Sequence, residues 1–321
     1  MKKIKAFFHP EQYHGWGRTR RYFEGWYYKL VDHSEQYAFA VIPGIAMDET
    51  GNRQGFIQVL DGKKRTAEYI PFDAAEFVPS PGKFELRIGR NYFSGKNIRL
   101  SLPGISGELF FSGTVPWPSP WYLPGIMGPY SFAPFMECNH GVVSMDHEIS
   151  GQLNVGAETI LFDKGRGYIE KDWGRSFPSA YIWTQSNHFA GPGVSLFASV
   201  AKIPWIRNSF TGFIAGIWLH DRLIRFTTYN GTSLRRCRID GGAVELIMEN
   251  KRHRIEINVS RDQTATLASP IQGFMNGRIE ESMTSEVQVH LLDITGGATI
   301  YQGTGRHAGV DVAGKIEDII V

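Results

Sequence analysis

The sequence predicts an all-β protein with few helices, and three observations carry that expectation. Apolar alternation of period two, bounded by Gly, Pro, Asn or Asp, recurs along the whole chain. Aromatic residues make up 13% of the chain (21 Phe, 13 Tyr, 8 Trp), and these types suit pleated sheets and ring-lined surfaces. No stretch keeps the 3.6-residue period of a long amphipathic helix.

Taken in order, strands are expected at 21–31, 37–42, 55–60, 83–88, 98–102 and 108–115. A second series is expected at 160–162, 167–173, 180–189, 195–203, 211–219, 223–228, 244–248, 254–259, 286–292 and 298–303. Turn pairs such as Asp61-Gly62 and Asn230-Gly231 separate them, and many short strands at near-regular spacing fit barrels or sandwiches. Between the two series, 116–134 reads PWPSPWYLPGIMGPYSFAP. Its six prolines exclude a central strand or a helix. Its rings, Trp117, Trp121, Tyr122, Tyr130 and Phe132, exclude an ordinary flexible linker. Three roles fit: a connection packed on a barrel rim, a lid over an apolar pocket, or a transient contact with a membrane surface. The composition shift places a domain boundary here. An N-terminal barrel-like domain is expected over 1–135, ending in the Pro/aromatic-rich connection at 116–135, and a C-terminal one over 136–321, with strand exchange across the boundary allowed.

Lys plus Arg (34) nearly balance Asp plus Glu (32), which leaves no field to recruit nucleic acid. Cys138 and Cys237 are too few for a disulfide framework or a four-thiolate zinc site, which fits a reducing compartment. The start, MKKIKAFFHPEQYHGWG, lacks the apolar core of a signal peptide, and no run approaches the length needed to span a bilayer. A cytoplasmic protein is expected, peripheral to a membrane if 116–135 touches one.

The common catalytic motifs are absent: no G-x-S-x-G elbow, no Walker loop, no H-E-x-x-H. The stretch Glu137-Cys138-Asn139-His140…Asp146-His147-Glu148 is rich in ligand types. On a strand, however, Asp146 and His147 face opposite ways, and no metal site is expected. Two segments stand out. In Phe23-Glu24-Gly25-Trp26-Tyr27-Tyr28, strand alternation sets Glu24, Trp26 and Tyr28 on one face. Glu24 then either pairs with a nearby Arg at the surface or lines a ring-walled cavity. In Gly167…Glu170-Lys171-Asp172-Trp173-Gly174-Arg175…Phe177-Pro178, Glu170 and Asp172 share one face, and Lys171 and Trp173 the other. The two acids are either neutralised by Lys171 and Arg175 at a corner or are functional. Tyr181, Trp183, Gln185 and Asn187 alternate on the next strand, a row of rings and amides suited to hydrogen-bonding an apolar guest.

These two segments, with the upstream His9-Pro10 and the following Trp183…Gln185…Asn187, resemble the tocopherol cyclase family in order and spacing, and the likeness extends over most of the chain. The resemblance implies a two-part, lipocalin-like (calycin-type) β-barrel fold, and cyclisation of a prenylated hydroquinone to a chromanol without a redox cofactor. Asp172 departs from the Asn of the plant members, the 116–134 segment differs from theirs, and a plastid extension is expected to be absent. Ring closure needs an acid to protonate an alkene, a shield for developing positive charge, and exclusion of water. Asp172 or Glu170 is the expected acid, with Glu24 next. Trp26, Tyr28, Trp173, Tyr181 and Trp183 are the expected substrate-facing rings, and Gln185 and Asn187 the orienting amides. The competing readings are a lipocalin-like carrier of an apolar lipid or quinone without chemistry, and a hydratase or isomerase of a similar alkene; fold alone does not separate them.

Overall fold

The computed structural model of the chain describes residues 6–321. Its regular structure is nearly all strand, and it divides into two compact units: Met1–Phe177 with Thr266–Arg278, and Pro178–Ala265 with Ile279–Val321.

The first unit is built on β1 (Tyr22–Val31), β2 (Ala38–Met47), β3 (Arg53–Asp61), β4 (Thr66–Asp73), β5 (Phe77–Pro79), β6 (Glu85–Ile88), β7 (Asn91–Ser94), β8 (Asn97–Leu102), β9 (Ile105–Ser112), β10 (Cys138–Val155), β11 (Glu158–Leu161) and β12 (Gly165–Gly174). They form one 12-stranded sheet in the order β4-β3-β2-β1-β12-β10-β9-β8-β7-β6-β5, with β11 on β10. Its two ends meet: a Cβ built on Gly55 of β3 would lie 3.5 Å from the Cβ atoms of both Phe72 and Phe77. The sheet therefore curls on itself in lipocalin-like fashion. Its inner face is one continuous apolar cluster, with Trp26, Tyr28, Ile57, Phe93, Leu109 and Ile169 contributed from all sides.

The second sheet follows with β13 (Ala180–Ser186), β14 (Val194–Trp205), β15 (Asn208–Leu219), β16 (Arg222–Thr227), β17 (Ser233–Asp240), β18 (Ala243–Glu249), β19 (His253–Ser260), β20 (Ala265–Ile271), β21 (Phe274–Asp293) and β22 (Ala298–Gly314). The 10-stranded sheet runs β16-β15-β14-β13-β22-β21-β19-β18-β17, with β20 on β21. Its core includes Ile182, Val200, Phe226, Leu246, Ile257 and Val310. The chain end is tied down by a reciprocal backbone pair between Val321 and Cys237 (3.0 and 3.2 Å).

The division of the chain differs from the one expected at 135/136. It falls at 177/178, because β10 pairs with β9 and β12 pairs with β1, which holds 138–174 in the first sheet. The proline-rich segment is thus an insertion within the first unit. Part of the C-terminal half is exchanged back: residues 266–278 cluster with the first unit. Both side-chain ends of Gln58 engage the backbone of Ala268 (3.0 and 2.9 Å), and Gly273 bonds Met47 and Arg175 through its carbonyl (2.9 Å) and N–H (2.6 Å). Gly273 has φ +90°, and a Cβ there would sit 2.2 Å from Met47 O and from Tyr22 N. Gly273→Ala should cost about 1–3 kcal/mol, seen as a lowered urea midpoint with unchanged m-value; an unmoved midpoint would refute the tight fit.

Candidate functional site

The β1–β12 register brings the two distinctive segments side by side. Glu24 lies opposite Trp173, Trp26 opposite Lys171, Tyr27 opposite Glu170 and Gly25 opposite Asp172. Directly opposed residues point to the same face. Two polar clusters therefore form on opposite sides of one sheet.

The inner cluster centres on Glu24 and Lys171, both fully buried, with Lys171 Nζ 2.5 Å from Glu24 Oε1. The 6–16 segment lies across them. Lys171 donates to Gln12 O and to His14 Nδ1, the latter at 2.6 Å. Glu24 accepts from the N–H groups of His14 (2.8 Å) and Gly15 (2.9 Å) and from Tyr22 Oη (2.5 Å). The ammonium sits between the rings of Trp26 (4.8 Å) and Trp173 (4.5 Å), and Trp173 in turn stacks on His14 at 4.2 Å. Burial alone would raise the Glu24 carboxyl, but Lys171 and the His14 hydrogen bond outweigh it and hold it below its ordinary value. Burial drives Lys171 down to about 8 against the pull of Glu24.

This corrects several expectations. Glu24 neither meets an Arg at the surface nor stands ready as a proton donor; it is a paired, fully satisfied carboxylate. Lys171 does not neutralise its neighbours Glu170 and Asp172, because alternation sends it through to the other face. Tyr28 is wholly buried among Phe84, Phe93 and Phe111 and donates to Ser94 O, while Trp26 stacks on Phe84 and donates to Glu11 O. Both rings are core, not pocket wall, and Trp173 serves as a lid on Lys171.

The outer cluster is built by β12 and β10, whose register sets His140 opposite Asp172 and Val142 opposite Glu170. His140 Nδ1 lies 2.7 Å from Asp172 Oδ1, and its Nε2 lies 3.4 Å from Glu170 Oε2. Tyr168 Oη donates to Glu170 at 2.6 Å, and Cys138 Sγ lies 3.8 Å from Asp172 Oδ1. Burial pushes the Cys138 thiol up, so it stays protonated. Burial would lower His140, but the carboxylates of Asp172 and Glu170 outweigh it and push it up to about 10. The side chains of His140 and Asp172 are 17% and 23% exposed against 6% for Glu170, so the first two are the groups a small molecule reaches. His140 is the residue that sequence reasoning set aside; its only signal was its place in the ligand-rich stretch.

The ligand atoms of His140, Glu170 and Asp172 lie within 4.8 Å of one another, close enough to hold a cation. The 2.7 Å His140–Asp172 contact is the length of a charge-assisted hydrogen bond.

In the second unit, Tyr181, Trp183 and Gln185 share one buried face of β13, away from its core residue Ile182. Asn187 lies just beyond the strand, also buried. Asp311 stands opposite Trp183 and accepts from Tyr181 Oη, and Glu281 stands opposite Asp311. Sequence reasoning missed this second pair of buried acids, which lies in segments without clear alternation.

A family model described as tocopherol cyclase-like matches residues 115–314. Over 193 residues the chain is 24% identical to the chloroplastic tocopherol cyclase of Zea mays, covering 56% of this chain and 40% of that protein. The chain thus spans well under half the length of that relative. Among solved structures it is similar to CghA with Sch210972 (TM-score 0.59, 11% identity, 92% of this chain and 89% of that one). It is also similar to an AttH-like protein of Nitrosomonas europaea (TM-score 0.56, 14% identity, 91% and 92%). At these identities the likeness speaks for the fold. The family match takes in both β12 and β13, and with them the Asp172 cluster and the Trp183 row: the chain belongs to the tocopherol cyclase-like family.

Proposed function

We propose that the protein is a cofactor-free cyclase of an apolar, alkene-bearing phenol, a prenylated quinol or a related terpenoid, working by proton transfer from the Asp172–His140 pair. The observation that carries this reading is the half-buried imidazole clamped between two carboxylates at 2.7 and 3.4 Å. In water such a pair rests as imidazolium and carboxylate. When an apolar substrate displaces the remaining water, charge separation becomes unfavourable and the proton passes to Asp172 as a carboxylic acid. That proton adds to the less substituted alkene carbon, the phenol oxygen bonds to the tertiary carbon, and the phenol proton returns to the Asp172–His140 pair. The product has the mass of the substrate. Glu170, held by Tyr168, keeps the imidazole oriented and counters developing positive charge. A cytoplasmic setting belongs to the same proposal and suits the two free thiols.

The test is incubation of purified protein with a panel of prenylated quinols, followed by chromatography and mass spectrometry. An isomer of equal mass, absent from boiled controls, is the expected result. A product heavier by one water would make the protein a hydratase, and compound retained unchanged would make it a carrier; either outcome removes the cyclase reading.

A further inference from the structure

On β12, Tyr168, Glu170 and Asp172 stand at every second position and so share one face of the sheet. Tyr27 and Lys29 of β1 lie opposite Glu170 and Tyr168, and Cys138 of β10 brings its thiol to the same face. Tyr168 and Lys29 are fully buried. The contacts along this row are unequal. Tyr168 Oη donates at 2.6 Å to Glu170 Oε2, and that same oxygen is the one His140 Nε2 faces at 3.4 Å. Asp172 Oδ1 lies 2.7 Å from His140 Nδ1 and 3.8 Å from the Cys138 thiol, a weak donor. Burial, with the Glu170 charge next, holds the Tyr168 phenol well above its ordinary value, so its O–H remains a donor.

One imidazolium thus faces two carboxylates able to take its proton, and they are not equivalent. A hydrogen bond donated to the ionised form of an acid favours that form. Glu170 receives one from a phenol at 2.6 Å, whereas Asp172 has the weak thiol in the corresponding place. The difference bears on chemistry because the two acids differ in access. The Asp172 side chain is 23% exposed and that of Glu170 6%, so a proton that passes to Glu170 lies out of a substrate's reach.

We propose that Tyr168 is a positioning residue of this site: by occupying Glu170 Oε2 it keeps that carboxylate ionised and directs the imidazole proton to Asp172. The one proton has two destinations. Leaving from Nδ1, it gives a neutral imidazole and an Asp172 carboxylic acid that an alkene can meet. Leaving from Nε2, it gives a neutral imidazole and a buried Glu170 acid that meets none. The consequence for turnover rests on the cyclase reading; the competition for Oε2 does not.

The test compares the parent with Tyr168→Phe, which removes the hydroxyl and keeps the ring, with circular dichroism as the check on folding. In substrate-free protein carrying isotope-labelled histidine, the NMR signal of the His140 Nε2 proton should move downfield in the variant, because an unshared Oε2 is the stronger acceptor. A ring-fluorinated tyrosine at 168, a stronger donor of nearly the same shape, should move it upfield, and decides the direction even if Tyr168→Phe loses its fold. With a prenylated quinol that the parent cyclises, Tyr168→Phe should lower kcat about 10- to 100-fold, the weight of a hydrogen bond to a charged group, and leave KM within about twofold. The double variant Tyr168→Phe/Glu170→Gln should recover about tenfold of that loss, because glutamine cannot take the proton. A phenol that merely filled space would show no such rescue. An Nε2 proton unmoved by either change would overturn the proposal, and so would a double variant no faster than Tyr168→Phe. A parent that forms no isomer would remove the cyclase reading, while the Nε2 signal would still decide whether Tyr168 weakens the hold of Glu170.

Discussion

Lys171→Met should destabilise the first unit by about 3–5 kcal/mol, the range for stripping one partner from a buried ion pair. Glu24 would remain fully buried with its Tyr22, His14 and Gly15 hydrogen bonds but without the cation 2.5 Å away. Methionine is close to lysine in volume, so the loss reports charge and not a cavity. The double variant Lys171→Met/Glu24→Gln should recover part of it, with a coupling of about 1–3 kcal/mol in a double-mutant cycle followed by tryptophan fluorescence in urea. A single-variant loss under about 1 kcal/mol would refute the pairing as a determinant of stability. The pH dependence follows from the direction of the Glu24 shift. Its carboxyl is held below the ordinary value in the folded chain, so the stability it contributes is present above the unfolded pKa near 4.3 and is lost as pH falls through the lower folded value. In Lys171→Met the shift reverses, because burial then acts with the cation gone, and acid unfolding should begin at higher pH.

The all-β class was legible because alternation is a local signal, and strands such as β2, β14 and β18 carry it within their own residues. The special character of 23–28 and 170–175 was legible too, from rings packed around charges. Their partnership was not. Glu24 and Lys171 are set face to face by the β1–β12 register, a pairing of segments far apart in the chain that nothing local specifies. Reading Lys171 against its immediate neighbours was therefore the natural error.

Trp26 and Tyr28 illustrate another limit. A ring that lines a cavity and a ring that fills a core have the same period-two signature, and only the packing of Phe84, Phe93 and Phe111 against them tells the two apart. β10 went unread because register shifts between Val142 and Ser144, and between Ser144 and His147, break its alternation; His140, just before the first shift, was hidden with it. The boundary expected at 135/136 had a similar cause. Proline content marks where a strand cannot run, but it does not say whether the chain afterwards rejoins the same sheet.

Asp172→Asn should lower turnover of a cyclised substrate by about 10²–10⁴-fold, the usual contribution of a positioned proton donor, while circular dichroism and ligand binding stay near the parent. Asn keeps the shape and can accept a hydrogen bond from His140, but it carries no transferable proton. The variant also has a readout that a merely structural role would not move. His140 is pushed up to about 10 because two carboxylates outweigh burial, and Asp172 is the larger of the two influences. With that charge gone, less opposes burial, though Glu170 still does, and the His140 titration followed by NMR should fall from about 10 towards the ordinary value near 6.5. The parent's stability follows the same group. A histidine raised in the folded state adds stability that is fully present below pH 6.5 and is lost as pH rises through about 10. Asp172→Asn should flatten that alkaline decline. Full activity in the variant would remove Asp172 from the chemistry even if the titration shifted as expected, and the proton would then have to come from another acid. An unchanged His140 titration would instead dismantle the clamp itself, because Asp172, at 2.7 Å, is the larger of the two carboxylate influences on the imidazole.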